Sequence, residues 1–413
     1  MTERIETLIV GGGQAGLALS YYLRGRGREH LILERARVAE RWRSERWDSL
    51  TFQFPSWSIR LPGLDYRGGD PEGFAPRDEV VRFLDAYRVH IGAPVREGVA
   101  VRTVTRSAGR FRVETEAATF EAATVVAATG PYQAPVVPAA AAALPSNIVQ
   151  VHASRYRSPA ALPEGAVLVV GSGASGCQIV EDLLDAGRAV HLSVGRHRRV
   201  PRRYRGRDVF WWIDRMGALD QTLAERPDAR GTPNPLVTGA HGGHDIDLRA
   251  YARAGVTLYG HLRGAQDGRL LFNDDVAREI ARGDEGMIAF ARAADEWALR
   301  EGLGPPRDDE RVDCLSSRGG LAPVSGLASP PALDLRAAGI AAVVWATGFR
   351  PDFGWIRLPV LDADGDAVHR LGTTACPGFY FLGLPWLSKL KSSVLCGVGE
   401  DAERLASVIA ERG

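Results

Sequence analysis

Cysteine is scarce in this 413-residue chain: Cys177, Cys314, Cys376 and Cys396 stand far apart, with no C-x-x-C pair and no metal-ligand spacing. That pattern excludes a disulfide-stapled fold, a zinc ribbon and a relay of electrons through adjacent thiols, and it fits a reducing compartment. Lysine is scarcer still. Lys389 and Lys391 are the only two among 51 basic residues, which reads as a coding preference for arginine. Neither sign of charge dominates: 51 Lys and Arg face 50 Asp and Glu, so nucleic acid is not expected as a partner. No apolar run is long enough for a membrane span and no signal peptide precedes the first apolar segment, so the expected location is cytoplasmic. A metal is not expected either: His241 and His244 flank a Gly-Gly spacer without further ligands.

Glycine, by contrast, is abundant and recurs in one arrangement. Thr7-Leu8-Ile9-Val10 runs into Gly11-Gly12-Gly13-Gln14-Ala15-Gly16, and Val167-Leu168-Val169-Val170 runs into Gly171-Ser172-Gly173-Ala174-Ser175-Gly176. Each reads as strand, tight turn and helix. The first glycine makes the turn, the second admits a pyrophosphate to the backbone, and the third packs helix on strand. The helix N-terminus then presents unpaired N–H groups to the phosphates. Two such units predict two bound dinucleotides. After the first, Leu31-Ile32-Leu33 ends at Glu34, where a carboxylate can accept ribose hydroxyls, the pattern for the adenosine half of FAD or NAD. After the second, Val190–Val194 ends without an acid and Gly195-Arg196-His197-Arg198-Arg199 follows. Arg196 there suits the 2′-phosphate of NADP, unless the run 198–207 is simply a solvated basic face.

The chain divides accordingly. Strands 6–10 and 30–34 flank a helix 14–24; a helix 78–89 and short strands 99–105, 110–115 and 119–121 follow, then a strand 124–128. An Ala/Pro-rich connector, 134–145, separates the units. The second unit, 166–194, precedes a poorly patterned stretch, 205–300, with helical segments near 208–224 and 275–300. Strands 341–345 and 378–383 and a helix 393–411 close the chain. The expected fold is α/β, with two nested Rossmann-like dinucleotide-binding domains: residues 1–158 and 351–413 for FAD, and 159–350 for NADPH, with an insertion at about 205–300.

These features resemble the class B flavin-dependent monooxygenases, a group that includes the flavin-containing monooxygenases and the plant YUCCA enzymes. The resemblance rests on both glycine motifs and on His152-Ala153-Ser154-Arg155-Tyr156-Arg157, which matches the group's fingerprint of His, three residues, then Tyr or Phe and a basic residue. It also rests on Ala128-Thr129-Gly130 and Ala346-Thr347-Gly348, while 379–402 looks most like a bacterial branch catalogued as potassium-transport flavoproteins. Two positions depart from the group. Ile148 replaces a glycine upstream of the fingerprint. Gln53, in Thr51-Phe52-Gln53-Phe54-Pro55, stands where the group has an Asn beside the flavin's reactive edge.

The resemblance implies FAD and NADPH as cofactors, and molecular oxygen and a small molecule as substrates. NADPH reduces the flavin, and a peroxyflavin transfers one oxygen atom to nitrogen or sulfur. The alternatives are YUCCA-like oxidative decarboxylation or Baeyer–Villiger-type attack on a carbonyl, and an NADPH oxidase or redox-sensing flavoprotein. Gln53 is the candidate catalytic residue, through its amide. Gly11, Gly13, Gln14, Ala15, Gly16, Glu34, Arg35, Thr129 and Gly130 are expected around FAD. Trp42 is expected there too, unless it is a core tryptophan. Ser393 is expected at the flavin because the last helix, beginning near it, would direct its positive N-terminal end at the ring. Gly171, Ser172, Gly173, Ser175, Gly176, Arg196, Thr347 and Gly348 are expected around NADPH. His152 and Tyr156 read as braces of the domain linker. Phe210-Trp211-Trp212 and Trp386-Leu387 read as pocket lining or as packing. Self-association stays open.

Overall fold

The computed structural model describes residues 2–227, 233–305, 327 and 329–412. Strand β1 (Thr2–Val10) buries its last four residues, turns through Gly11–Gly13 into helix α1 (Gln14–Gly25) and returns as β2 (His30–Leu33), buried throughout. Such unbroken apolar strands suit a parallel sheet covered on both faces. Helix α2 (Arg77–His90), the short β3 (Val95–Arg96), and the meander β4 (Val101–Ser107), β5 (Arg110–Thr115) and β6 (Thr119–Ala127) complete a sheet in the order β3-β2-β1-β6-β5-β4. β1 and β6 pair in parallel from Thr2↔Thr119 to Val10↔Ala127. The two strands expected at 119–121 and 124–128 are therefore one. No Gly or Pro interrupts Ala122-Ala123, and both halves find partners.

The second sheet is wholly parallel. Its strands are β7 (Val149–His152), β8 (Ala166–Val170), β9 (Val190–Ser193), β10 (Thr257–Tyr259) and β11 (Ile340–Trp345), in the order β7-β11-β8-β9-β10. A division at residue 158 leaves β7 with the first unit, but its hydrogen bonds lie in this second sheet. Helix α3 (Ala174–Asp185) joins β8 to β9; helices α4 (Val209–Arg215) and α5 (Val276–Arg300) belong to the inserted stretch. α4 is shorter than the expected 208–224, because Gly217 turns left-handed at φ 71° and ends it. Alternation decides the burial: Val167 and Val169 enter one core cluster, and Leu168 and Val170 the other.

The chain then returns to the first sheet. β12 (Phe379–Phe381) pairs in parallel with the C-terminal half of β6, Phe379↔Val125 to Phe381↔Ala127, and α6 (Val398–Arg412) packs on α1. The last helix thus begins later than expected. Leu390–Ser393 is a 3₁₀ turn, Val394 is extended, and a side chain at Gly397 would overlap Lys391, so the chain crosses itself closely before α6 can start. Among the described residues, no helix is long and apolar enough to cross a membrane.

Candidate active site between two glycine cradles

Both glycine turns have the same construction. Gly11 N–H donates to the Leu33 carbonyl at 2.9 Å and Gly171 N–H to that of Ser193 at 3.0 Å. Gly11 (φ +116°) backs onto the Ala128 carbonyl and Gly171 (φ +108°) onto that of Ala346, so a Cβ would stand 2.6 and 2.5 Å from those oxygens. Gly16 and Gly176 are equally constrained, since a side chain on either would overlap the carbonyl of the turn's first glycine. The middle glycines differ. Gly13 (φ −85°) and Gly173 (φ −71°) have backbones any residue adopts, and nothing of the protein lies within 4 Å of where a Cβ would stand. The fold leaves that space free, as a pyrophosphate lying against the backbone requires.

The strand ends beside the turns carry opposite chemistry. Glu34 accepts from Gly12 N–H (2.8 Å) and Ala36 N–H (2.9 Å), one bond on each carboxylate oxygen, which leaves lone pairs on both. In the second unit no acid follows β9. The buried Ser172 hydroxyl accepts from Gly195 N–H at 2.9 Å and donates to the Gly195 carbonyl at 3.1 Å, so it is committed to tying turn to strand end. Arg196 is exposed.

A cleft of about 1300 Å³ connects the two cradles. Of the expected residues, Gly11, Gly13, Gln14, Ala15, Glu34, Arg35, Trp42, Gln53, Thr129, Gly130, Gly173, Ser175, Gly348 and Ser393 line it; Gly16, Gly171, Ser172, Gly176, Arg196 and Thr347 do not. Ser393 reaches the wall from the 3₁₀ turn, not from a helix end, and its carbonyl accepts from Gln14 Nε2 at 2.7 Å. The expectation of a helix N-terminus at Ser393 is corrected accordingly. Gln53 is half-buried, and its backbone carbonyl accepts from Arg202 Nη1 at 2.7 Å. Trp42 meets Phe52 edge-on at 5.7 Å, and Phe54 stacks on Phe210 at 3.9 Å. Phe210 and Trp212 are core of the inserted stretch, whereas Trp386 lines the cleft with a left-handed φ of 57°.

The linker is braced at both crossings. His152 Nε2–H donates to the Gly348 carbonyl at 3.0 Å, Thr347 Oγ1 donates to Val136, and the Tyr156 hydroxyl donates to Asp182 at 2.6 Å. Burial keeps the His152 imidazole below its usual pKa, and hence neutral, with Ser154 N–H on Nδ1 at 3.2 Å. His241 and His244 face Asp185 (3.0 Å) and Glu181 (3.6 Å) on α3.

Several lining residues escaped the sequence reading. His197 donates from Nδ1 to the Gly195 carbonyl at 3.1 Å, and burial lowers its pKa. Tyr132 and Arg46 come from loops without a motif, and Asn234 from the inserted stretch. The one sequence signal was adjacency: Tyr132 follows Thr129-Gly130, and His197 follows Arg196.

Residues 8–212 match the model of a family described as pyridine nucleotide-disulphide oxidoreductase. An uncharacterized CzcO-like oxidoreductase of Geobacillus kaustophilus is 32% identical over 412 residues, 99% of each chain. A probable indole-3-pyruvate monooxygenase, YUCCA1 of Arabidopsis thaliana, is 34% identical over 195 residues, which are 45% of this chain and 46% of that one. A flavin-containing monooxygenase from Stenotrophomonas maltophilia has the same fold, with a TM-score of 0.68 at 19% identity over 99% of both chains. The chain belongs to the CzcO-like oxidoreductases.

Proposed function

We propose that the protein is an FAD- and NADPH-dependent monooxygenase that oxygenates nitrogen or sulfur of a small organic molecule, with FAD on the first cradle and NADPH on the second. The observation that carries this reading is that Gly13 and Gly173, open where the fold needs no glycine, line one and the same cleft. Bound at such a site, FAD and NADPH would supply the reducing equivalents that activate molecular oxygen. The chain's own groups bind and orient. Gln14 and Ala15 open α1 toward the FAD pyrophosphate, Glu34 takes its ribose, and Arg35, Trp42, Thr129, Gly130 and Ser393 complete the surround. Ser175 and the backbone of 173–175 serve the NADPH pyrophosphate, and Arg196 its 2′-phosphate. Thr347 and Gly348 hold the linker beneath. Gln53 offers its amide to the reacting oxygen, and the aromatic wall excludes water.

The family model also covers enzymes named for disulfides, but the cysteines do not favour that chemistry. The described ones, Cys177, Cys376 and Cys396, are free, and none lines the cleft. Cys314 lies outside the described residues.

The test is rapid mixing of NADPH-reduced holoenzyme with oxygenated buffer. A long-lived oxygenated flavin spectrum that decays faster with an amine or sulfide, giving product that carries one atom of O₂, is the expected result. Release of carbon dioxide from a 2-oxo acid would instead indicate oxidative decarboxylation. Immediate reoxidation to hydrogen peroxide with every compound would leave an oxidase or a sensor. Gln53→Ala is expected to divert at least about tenfold more NADPH into peroxide, the effect of losing one aligned amide.

A further inference from the structure

Four arginines contribute to the cleft wall: Arg35, Arg41, Arg46 and Arg102. Three have an acidic partner. Arg35 and Arg41 share Glu45, at 3.7 and 2.5 Å, and Arg102 pairs with Glu116. Arg46 has no ion-pair partner among the described residues. Its Nη1 donates to the neighbouring Glu45 carbonyl at 2.8 Å, and its guanidinium lies over the rings of Trp42 (5.7 Å) and Tyr132 (5.8 Å). Aromatic faces attract a cation but leave the in-plane N–H donors of a guanidinium unpaired.

The backbone around it is firmly held. The Arg46 carbonyl accepts from Arg77 Nη1 at 3.2 Å and from Arg157 Nη1 at 2.5 Å, and the Arg157 carbonyl accepts from Asp48 N–H at 2.8 Å. Arg157 belongs to the segment that follows β7, so Arg46 is fixed where the two units meet. Trp42, over whose ring the guanidinium lies, also meets Phe52, the neighbour of Gln53. A cation clamped by its backbone, framed by two rings and without a carboxylate at ion-pair distance among the described residues is arranged for an anion from outside the chain. A partly buried charge is otherwise costly to leave unmatched.

We propose that Arg46 is an oxyanion-binding residue of the cleft, receiving either the carboxylate of an acidic substrate or a phosphate of a bound dinucleotide. The first source rests on the proposed oxygenation of a small molecule. The second needs only dinucleotide binding. Planar bidentate pairing favours arginine over lysine for both.

The experiment reads binding to the oxidised holoenzyme, without turnover, so it is independent of whether the monooxygenase assignment holds. Flavin difference spectra are titrated with matched acids and amides: benzoate and benzamide, indole-3-acetate and its amide, 3-(methylthio)propionate and its amide. NADP⁺ affinity and FAD retention are measured alongside, in the wild type, Arg46→Met and Arg46→Lys. A substrate carboxylate at Arg46 predicts acids binding about 10- to 100-fold more tightly than their amides, a ratio that Arg46→Met abolishes and Arg46→Lys partly restores. A phosphate at Arg46 predicts the same factor lost from NADP⁺ or FAD in Arg46→Met, with acid and amide indistinguishable. The proposal is overturned by unchanged affinities throughout, or by equal loss of acid and amide with NADP⁺ and FAD untouched. The acid-to-amide ratio in the wild type stands even where a variant folds poorly.

Discussion

In the first cradle the carboxylate of Glu34 reaches from the strand end back to the Gly12 N–H; in the second the Ser172 hydroxyl reaches from the turn forward to Gly195. The rest of the two turns is nearly interchangeable. Ala128 N–H donates to the Val10 carbonyl and Ala346 N–H to that of Val170, both at 2.9 Å, and both outer glycine pairs leave no room for a side chain. The comparison separates two demands on one motif. Its first and third glycines answer to packing, and its middle glycine, open on the cleft, answers in the proposed reading to the ligand. What distinguishes the two cradles is the closing tie. A tie made by a strand-end acid puts negative charge where a ribose can use it. A tie made by a serine within the turn leaves the strand end free of acid, with Arg196 three residues beyond β9.

The sharpest way to break the comparison is to add one methyl group at different glycines. Gly176→Ala should cost about 3 kcal/mol or more and lower the melting temperature steeply, since the Gly171 carbonyl cannot move aside. Gly173→Ala should leave apoprotein stability within about 0.5 kcal/mol, yet weaken NADPH at least about tenfold by blocking the open space. Equal destabilisation by the two would show that the middle glycine also serves the fold. Arg196→Ala should weaken NADPH by about 10- to 100-fold and NADH hardly at all, as measured by flavin-reduction kinetics; equal loss for both would remove the 2′-phosphate assignment. Glu34→Gln should raise the dissociation constant of FAD about tenfold and leave NADPH binding alone, since it removes charge from one cradle only.

The smallest expected effect is on stability against pH. Burial holds the imidazoles of His152 and His197 below the ordinary value, so the folded protein keeps them neutral. Below about pH 6.5 the unfolded chain binds protons that the folded chain refuses, until the lower folded value is reached. Stability should therefore fall on acidification through this window, by at most about 1.4 kcal/mol per pH unit for each histidine. Urea unfolding at pH 7.0 and 5.5 should show a shallower loss for His197→Gln; an unchanged slope would assign the titration elsewhere.

Much of the fold could be read from local pattern. Strand, glycine turn and helix are contiguous, and their periodicity survives any tertiary context, so β1–α1–β2 and β8–α3–β9 lie close to where the sequence placed them. The misreadings occur where the deciding contact is distant. The helix expected at Ser393 begins at Val398 because Lys391 and Gly397 cross closely, and β7 joins the second sheet through β11, far along the chain. The cleft wall behaves likewise. Its motif residues were legible, whereas Arg46, Tyr132 and His197 became neighbours of the cleft only through the docking of separate loops.

By itself the sequence determined that two dinucleotide cradles exist and which one carries the acid, because glycine spacing and strand-end charge act within a few residues of backbone. Only the tertiary structure decided that both cradles open on one cleft, that Ser172 is committed to Gly195, and that Arg46 stands there without an ion-pair partner among the described residues. Those facts depend on which distant groups come within a hydrogen bond's reach, and no local periodicity encodes that distance.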